Sequence, residues 1–194
     1  QFTSISQQNQ IINAIKFLYE KVLNKKYDKV DFTRPRKERK LPQVIDSDFL
    51  RERIPKINNI KHRAILMLAF SVGLRVSEVI NLKIADIDSK RMIINIRQAK
   101  GNKDRITPLS ETVLKTLREY YKEYKPVEYM FNGQFDVKYS ARSCNQIVKQ
   151  YLGRKYHFHL LRHSGLTAMM ENGTDLRIIQ KIAGHNSSKT TEIY

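Results

Sequence analysis

From Ala64 to Phe70 the chain runs without a polar side chain, and Val72 follows close behind. Lys61–Val72 is apolar almost all round, so it predicts a helix buried on every side rather than one with a single greasy stripe. The run is far short of the ~20 residues that span a bilayer. It therefore demands a core, with other elements packed around it. Gly73 stands where a left-handed residue commonly ends a helix. A chain of 194 residues, 41% hydrophobic, can supply such a core in one domain with a fragment of a second.

The remaining elements are read from periodicity and caps. Ile11, Ile12, Ile15, Leu18, Tyr19 and Val22 recur at helical spacing and predict one amphipathic helix over residues 5–24. Thr33-Arg34-Pro35-Arg36-Lys37-Glu38-Arg39-Lys40 is basic, poor in apolar residues and interrupted by Pro35, which reads as an extended linker. After Pro42 the expected order is a helix over 47–53, the central helix, and a short helix over 76–82. Strands over 92–97 and 104–109 follow, joined by a hairpin at Lys100-Gly101-Asn102-Lys103. Helices then cover 110–124, with Ser110 as cap, 140–152 and 159–171. Thr174 caps a helix over 175–183 closed by Gly184, and Ser187 or Ser188 opens a last turn carrying Tyr194. The expected fold class is mainly α with a small antiparallel β-sheet (α+β). The expected organisation is a helix in 1–24, a basic linker in 25–40 and a main domain in 41–194.

Charge narrows the function. Lys and Arg number 36 against 19 Asp and Glu, a net charge of +17. A domain repelling itself that strongly calls for a polyanion, nucleic acid first and anionic membrane second. Arg34, Arg36, Lys37, Arg39 and Lys40 read equally as a solvated surface run or as a strap along DNA phosphates, and Lys103 and Arg105 in the hairpin would also contact DNA. One cysteine, Cys144, excludes an internal disulfide and fits a reducing compartment; it reads as a small buried hydrophobe rather than a nucleophile. Gln1-Phe2-Thr3-Ser4 has no signal-peptide character, and the missing initiator Met suggests a fragment or processed chain. The expected location is cytoplasmic.

Four short motifs can carry chemistry. His159-Leu160-Leu161-Arg162 sets His159 and Arg162 one turn apart on a helix face, where both can address one anion. Arg75 follows the Gly73 break at the start of a short helix, where backbone N–H groups already favour an anion. It can grip phosphate bidentately or pair with Glu78, its i+3 neighbour, which would then orient it. Lys100 at a hairpin tip can deliver a proton or simply touch a phosphate, with Lys103 as a fallback. His185, just past Gly184, can donate a hydrogen bond, and Tyr194 is a candidate nucleophile among ten tyrosines.

The ordered set Arg75, Lys100, His159-x-x-Arg162, His185 and Tyr194 resembles the tyrosine recombinase (phage integrase) family, nearest in look to Xer-like and mobile-element integrases. The resemblance covers residues 41–194, and helix 5–24 looks like the last helix of that family's core-binding domain. It implies a site-specific DNA recombinase needing neither metal nor other cofactor. Arg75 and Arg162 would clamp the scissile phosphate, and His159 and His185 would hydrogen-bond to it. Lys100 would protonate the 5′ leaving oxygen, and Tyr194 would attack phosphorus to give a 3′-phosphotyrosyl link. Glu78 would support. Double-stranded DNA is the implied partner, with a tetramer on DNA in the full-length protein and a monomeric fragment as an open alternative. Ala99 stands where many relatives have Gly, and family members extend beyond the position of Tyr194. Two other readings stand beside this one: a nicking and resealing enzyme like a type IB topoisomerase, and a non-catalytic DNA-binding module. A metal site at His157, His159 and His163 is disfavoured, because no nearby Cys or acid completes it and Arg162 would sit beside the cation.

Overall fold

The computed structural model describes residues 4–24, 43–99, 103–134 and 138–184. The chain divides into two compact units, Gln1–Leu41 and Pro42–Tyr194. In the first, helix α1 (Ile5–Phe17) begins at a capping box in which Ser4 and Gln7 satisfy each other's backbone N–H groups. It continues into a π-helical turn, Leu18–Val22. No residue of α1 is buried, and Ile11, Phe17 and Val22 are exposed.

The second unit is built around α3 (Ile60–Ser71), as the apolar run demands. Ala64, Ile65, Leu66, Leu68 and Ala69 are fully buried. The helix packs against α4 (Val76–Ile80), α5 (Glu111–Tyr124), α6 (Ala141–Tyr151) and α7 (Phe158–Glu171). Its polar first turn stays at the rim, where Lys61 Nζ donates to the Asn132 carbonyl and lies near the Tyr124 and Tyr139 rings. Gly73 adopts φ +71°, the left-handed conformation that lets the chain leave α3 sharply. Where α7 crosses α3, Gly165 is required: a Cβ there would overlap the Phe70 carbonyl oxygen. That contact sets the spacing between α7, which carries Arg162, and α3, whose end leads through Gly73 to Arg75.

Helix α2 (Ser47–Arg53), capped by Asp46, lies at the start of this unit. The Ile45 N–H donates to buried Ser164 Oγ, which ties that start to α7. A three-stranded antiparallel sheet has the order β1 (Ile87–Asp88), β2 (Ile93–Ala99), β3 (Lys103–Pro108). Ile94 pairs with Thr107 and Ile96 with Arg105, and the register shifts between Ile96 and Ala99. The expected hairpin is therefore present in its strands, and β1 and the preceding 3₁₀ turn (Ile84–Asp86) are additions. Helix α8 (Leu176–Ala183) packs on α7 through Leu166, Ile179 and Ile182. Asp175, not Thr174, caps it by accepting from the Arg177 N–H. A carboxylate one position nearer the first turn accepts that N–H directly. Gly184 ends α8 at φ +61°. Tyr120 is buried against Tyr124 and Phe131 whereas Tyr121 is exposed, and Cys144 is buried with its thiol pushed up to about 12 by desolvation. Among the described residues, no helix is long and apolar enough to cross a membrane.

Candidate active site

Arg75 occupies the N-cap of α4, immediately after the Gly73 break. Its own backbone N–H donates to Glu78 Oε2 (2.8 Å) and its Nη1 to Glu78 Oε1 (2.8 Å). The i+3 pair expected from sequence therefore forms, and it orients Arg75 from both ends. Glu78 also accepts a second arginine. Arg105 on β3 donates Nη1 to Oε1 (2.7 Å) and Nη2 to Oε2 (2.9 Å), a bidentate fork. Arg162 on α7 brings a third guanidinium, with Nη1 3.8 Å from Glu78 Oε2. Arg162 donates as well to the carbonyls of Gly73 and Ala183. One carboxylate thus gathers arginines from α4, β3 and α7.

Exposure differs sharply within the cluster. The Glu78 and Arg162 side chains are 5% and 2% exposed, whereas Arg75 keeps 20%. Arg75 borders an open cleft of about 760 Å³, lined further by Asn81, Lys83, Asn95, Arg97, Tyr129 and Lys138. Lys83 Nζ and Lys138 Nζ lie 5.3 and 4.4 Å from the Tyr129 ring centroid, placing positive charge on the cleft wall.

Burial alone raises the Glu78 carboxyl's proton affinity. The hydrogen bonds and positive charge of Arg105, joined by those of Arg75, outweigh it and hold the pKa at about 2. Its ordinary value is 4.5, so the folded state gains stability that is complete above pH 4.5 and lost as pH falls toward 2. A shift of this size corresponds to about 3 kcal/mol. Urea unfolding of the wild type should show that loss between pH 4.5 and 2. Glu78→Gln should be less stable at pH 7 and should lack this acid segment; an unchanged acid segment in the Gln chain would assign it to another group.

His159 and His163 face each other edge-on, ring centroids 4.3 Å apart, on the α7 face that also carries Arg162. Burial, then the charges of Arg162, His157 and Arg75, push the His159 pKa below its ordinary value. Burial, with His159 next, pushes His163 down to about 4. Both rings are therefore neutral near pH 7. A neutral imidazole beside two guanidiniums can accept a proton while its other nitrogen donates. Among the described residues, no group of three or more His, Cys, Asp or Glu side chains is arranged to hold a metal ion.

Of the expected site residues, the structure brings together Arg75, Glu78, His159 and Arg162. Lys100, His185 and Tyr194 lie outside the described residues, as does the basic strap Arg34, Arg36, Lys37, Arg39 and Lys40. Lys103 begins β3, its backbone paired with Ala99. Arg105 departs from the expectation. Its side chain is 8% exposed and committed to Glu78 and the Ile182 carbonyl, so it faces the interior rather than a phosphate backbone. The cause is strand alternation: Arg105 and buried Thr107 share one face of β3, and exposed Ile106 lies on the other.

Residues 32–194 match the Phage integrase family. The chain is 34% identical over 199 residues to tyrosine recombinase XerA of Pyrococcus horikoshii, covering 98% of this chain and 69% of that protein. The crystal structure of XerA recombinase superposes with a TM-score of 0.70 at 32% identity, covering 99% of this chain and 71% of that one. The structure of XerH site-specific recombinase bound to difH substrate in a pre-cleavage complex gives a TM-score of 0.80 at 24% identity, covering 98% and 62%. The last shares the fold. The chain thus spans about two thirds of the length of the proteins it matches. With arginines from distant segments joined on one acid beside a neutral histidine, and a match running through the whole second unit, the chain belongs to the phage integrase family as a tyrosine recombinase catalytic domain.

Proposed function

We propose that this chain carries the strand-cleaving centre of a site-specific recombinase that acts on double-stranded DNA through a covalent link to Tyr194. The observation that supports it most is the convergence of Arg75 and Arg162 on Glu78, next to His159. A phosphodiester already carries one negative charge, and attack by a phenol oxygen concentrates more on the non-bridging oxygens. Guanidiniums fixed in advance by Glu78 stabilise that charge without reorganising. Arg75, the more exposed of the two, receives one oxygen. Arg162 reaches another by exchanging a neutral carbonyl partner for an anionic oxygen, an exchange that favours the charged acceptor.

The step balances as follows. The Tyr194 oxygen forms a bond to phosphorus as the bond from phosphorus to the 5′ oxygen breaks. The phenol proton passes to neutral His159, and Lys100 protonates the departing 5′ oxygen, which is otherwise a poor leaving group. His185 adds a hydrogen bond to the phosphate. The phosphotyrosyl ester retains the energy of the broken bond, so the 5′-hydroxyl of another strand can reverse the step. Strand exchange between two duplexes needs four such centres, which makes a tetramer on DNA the working assembly. The basic strap at Arg34, Arg36, Lys37, Arg39 and Lys40, with Lys103, would hold the DNA backbone.

The test is a nicked suicide duplex recovered from a randomised pool, from which the 5′-hydroxyl strand diffuses away after cleavage. A covalent protein–DNA adduct should accumulate in excess EDTA at the same rate as without it, with DNA joined through its 3′ end. No adduct from any duplex in the pool overturns the reading. Adduct formation that EDTA abolishes transfers the charge stabilisation from the arginines to a metal ion.

A further inference from the structure

Arg105 is the residue that neither the charge reading nor the phosphate-clamping scheme accounts for. Its guanidinium is spent wholly on protein: the fork holds both oxygens of Glu78, and Nε donates to the Ile182 carbonyl at 2.8 Å. Ile182 and Ala183 end α8, where a helix leaves its last carbonyls without partners of its own. Arg105 takes one of these carbonyls and Arg162 takes the next. The end of α8 is thereby pinned to β3 and to α7 at once. Gly184 follows in the left-handed conformation, and a Cβ on it would meet Arg105 Cδ at 2.7 Å.

We propose that Arg105 is a positioning residue for cleavage: it ties the strand that follows Lys100, the acid that aligns Arg75, and the helix end from which the chain passes to His185 and Tyr194. A bidentate fork fixes orientation as well as distance. A change at Arg105 therefore tilts Glu78, and through Glu78 both the backbone N–H and the guanidinium of Arg75. A displacement of about 1 Å at such a support can cost about 10²-fold in rate with no loss of substrate affinity. The proposal rests on the recombinase reading above, and wild-type adduct formation on the suicide duplex is its control.

The experiment measures single-turnover adduct formation at saturating duplex, and Kd on the same duplex from 50 to 200 mM salt, for Arg105→Lys and Arg105→Met. Both variants should cleave about 10²-fold more slowly. Kd should stay within about threefold of wild type and its salt slope should not change, because no phosphate contact has been removed. Arg105→Lys retains the charge but not the fork, so it should fare no better than about tenfold above Arg105→Met. A salt slope reduced by about 0.9 in Arg105→Met, together with near-normal cleavage at saturation in Arg105→Lys, would make Arg105 a phosphate contact and overturn the proposal. If both variants melt below the assay temperature, Gly184→Ala decides. It leaves every charged partner in place but crowds Arg105, so it should slow cleavage at saturation by at least about tenfold with Kd retained; unchanged cleavage there defeats the proposal. Absence of adduct in wild type itself defeats the recombinase reading, and the positioning role with it.

Discussion

Tyr194→Phe is expected to abolish covalent adduct formation, lowering it by about 10⁴-fold or more, while leaving DNA affinity within about twofold. The substitution removes one hydroxyl oxygen, the atom that would join phosphorus, and no charge. Two other tyrosines, Tyr120 and Tyr139, offer poor substitutes. Burial pushes Tyr120 up to about 12 and raises Tyr139 as well, which makes their phenols reluctant to ionise. Tyr194 follows Gly184 by ten residues. At ~3.3–3.6 Å per residue an extended segment of that length reaches at most about 35 Å, enough to serve this chain's own arginines or those of a neighbour on DNA. Mixing Tyr194→Phe with Arg162→Lys separates the two. If the phenol acts within its own chain, the mixture stays inactive. If it is delivered to a neighbour, adduct returns on the Arg162→Lys chain, which contributes the intact phenol. A Tyr194→Phe chain that forms adduct alone at the wild-type rate removes Tyr194 as nucleophile.

What was legible in the sequence is what local rules govern. Ala64–Phe70 announced α3 because a helix apolar on all sides has only one place to be. Gly73, Gly173 and Gly184 sit in left-handed turns, and Ser110 caps its helix through its hydroxyl. Arg75 and Glu78 were paired by i,i+3 spacing alone. What escaped notice depends on tertiary contact. β1 is two residues long, and its pairing with Ile93 and Ile94 carries no periodicity of its own. The net charge puts Arg105 on DNA phosphates together with Lys103. Yet its strand alternates the other way: polar Thr107 is inward and Ile106 is 56% exposed. The alternation of Arg105, Ile106 and Thr107 is plain in the sequence, but it reads with Ile106 inward; the inversion requires a buried polar partner for Arg105. Glu78 is that partner, and only the fold brings it within reach. The same holds for Arg162, whose motif suggested an accessible anion clamp but whose guanidinium is buried among carbonyls and an acid.

That burial makes Arg162 the position where stability and chemistry are hardest to separate. Arg162→Ala should cost about 3–5 kcal/mol of folding stability, because two buried carbonyls lose their donor and Glu78 loses a neighbouring cation. It should also lower cleavage by about 10²–10³-fold, the usual loss when one donor to a developing oxyanion is removed. Arg162→Lys pulls the two effects apart. An ammonium retains the charge beside Glu78 and can still satisfy one carbonyl, so the stability loss should fall to about 1–3 kcal/mol. It cannot span the Gly73 and Ala183 carbonyls with a planar fork, nor hold a phosphate oxygen in the same plane, so cleavage should stay within about tenfold of the Ala variant. Urea unfolding and single-turnover cleavage well below the transition measure the two quantities independently. If cleavage in Arg162→Lys recovers in step with stability, the guanidinium serves only to join α7 to the end of α8. If stability recovers while cleavage does not, the planar cation itself acts on the phosphate, and the arrangement of arginines around Glu78 is a preorganised charge clamp.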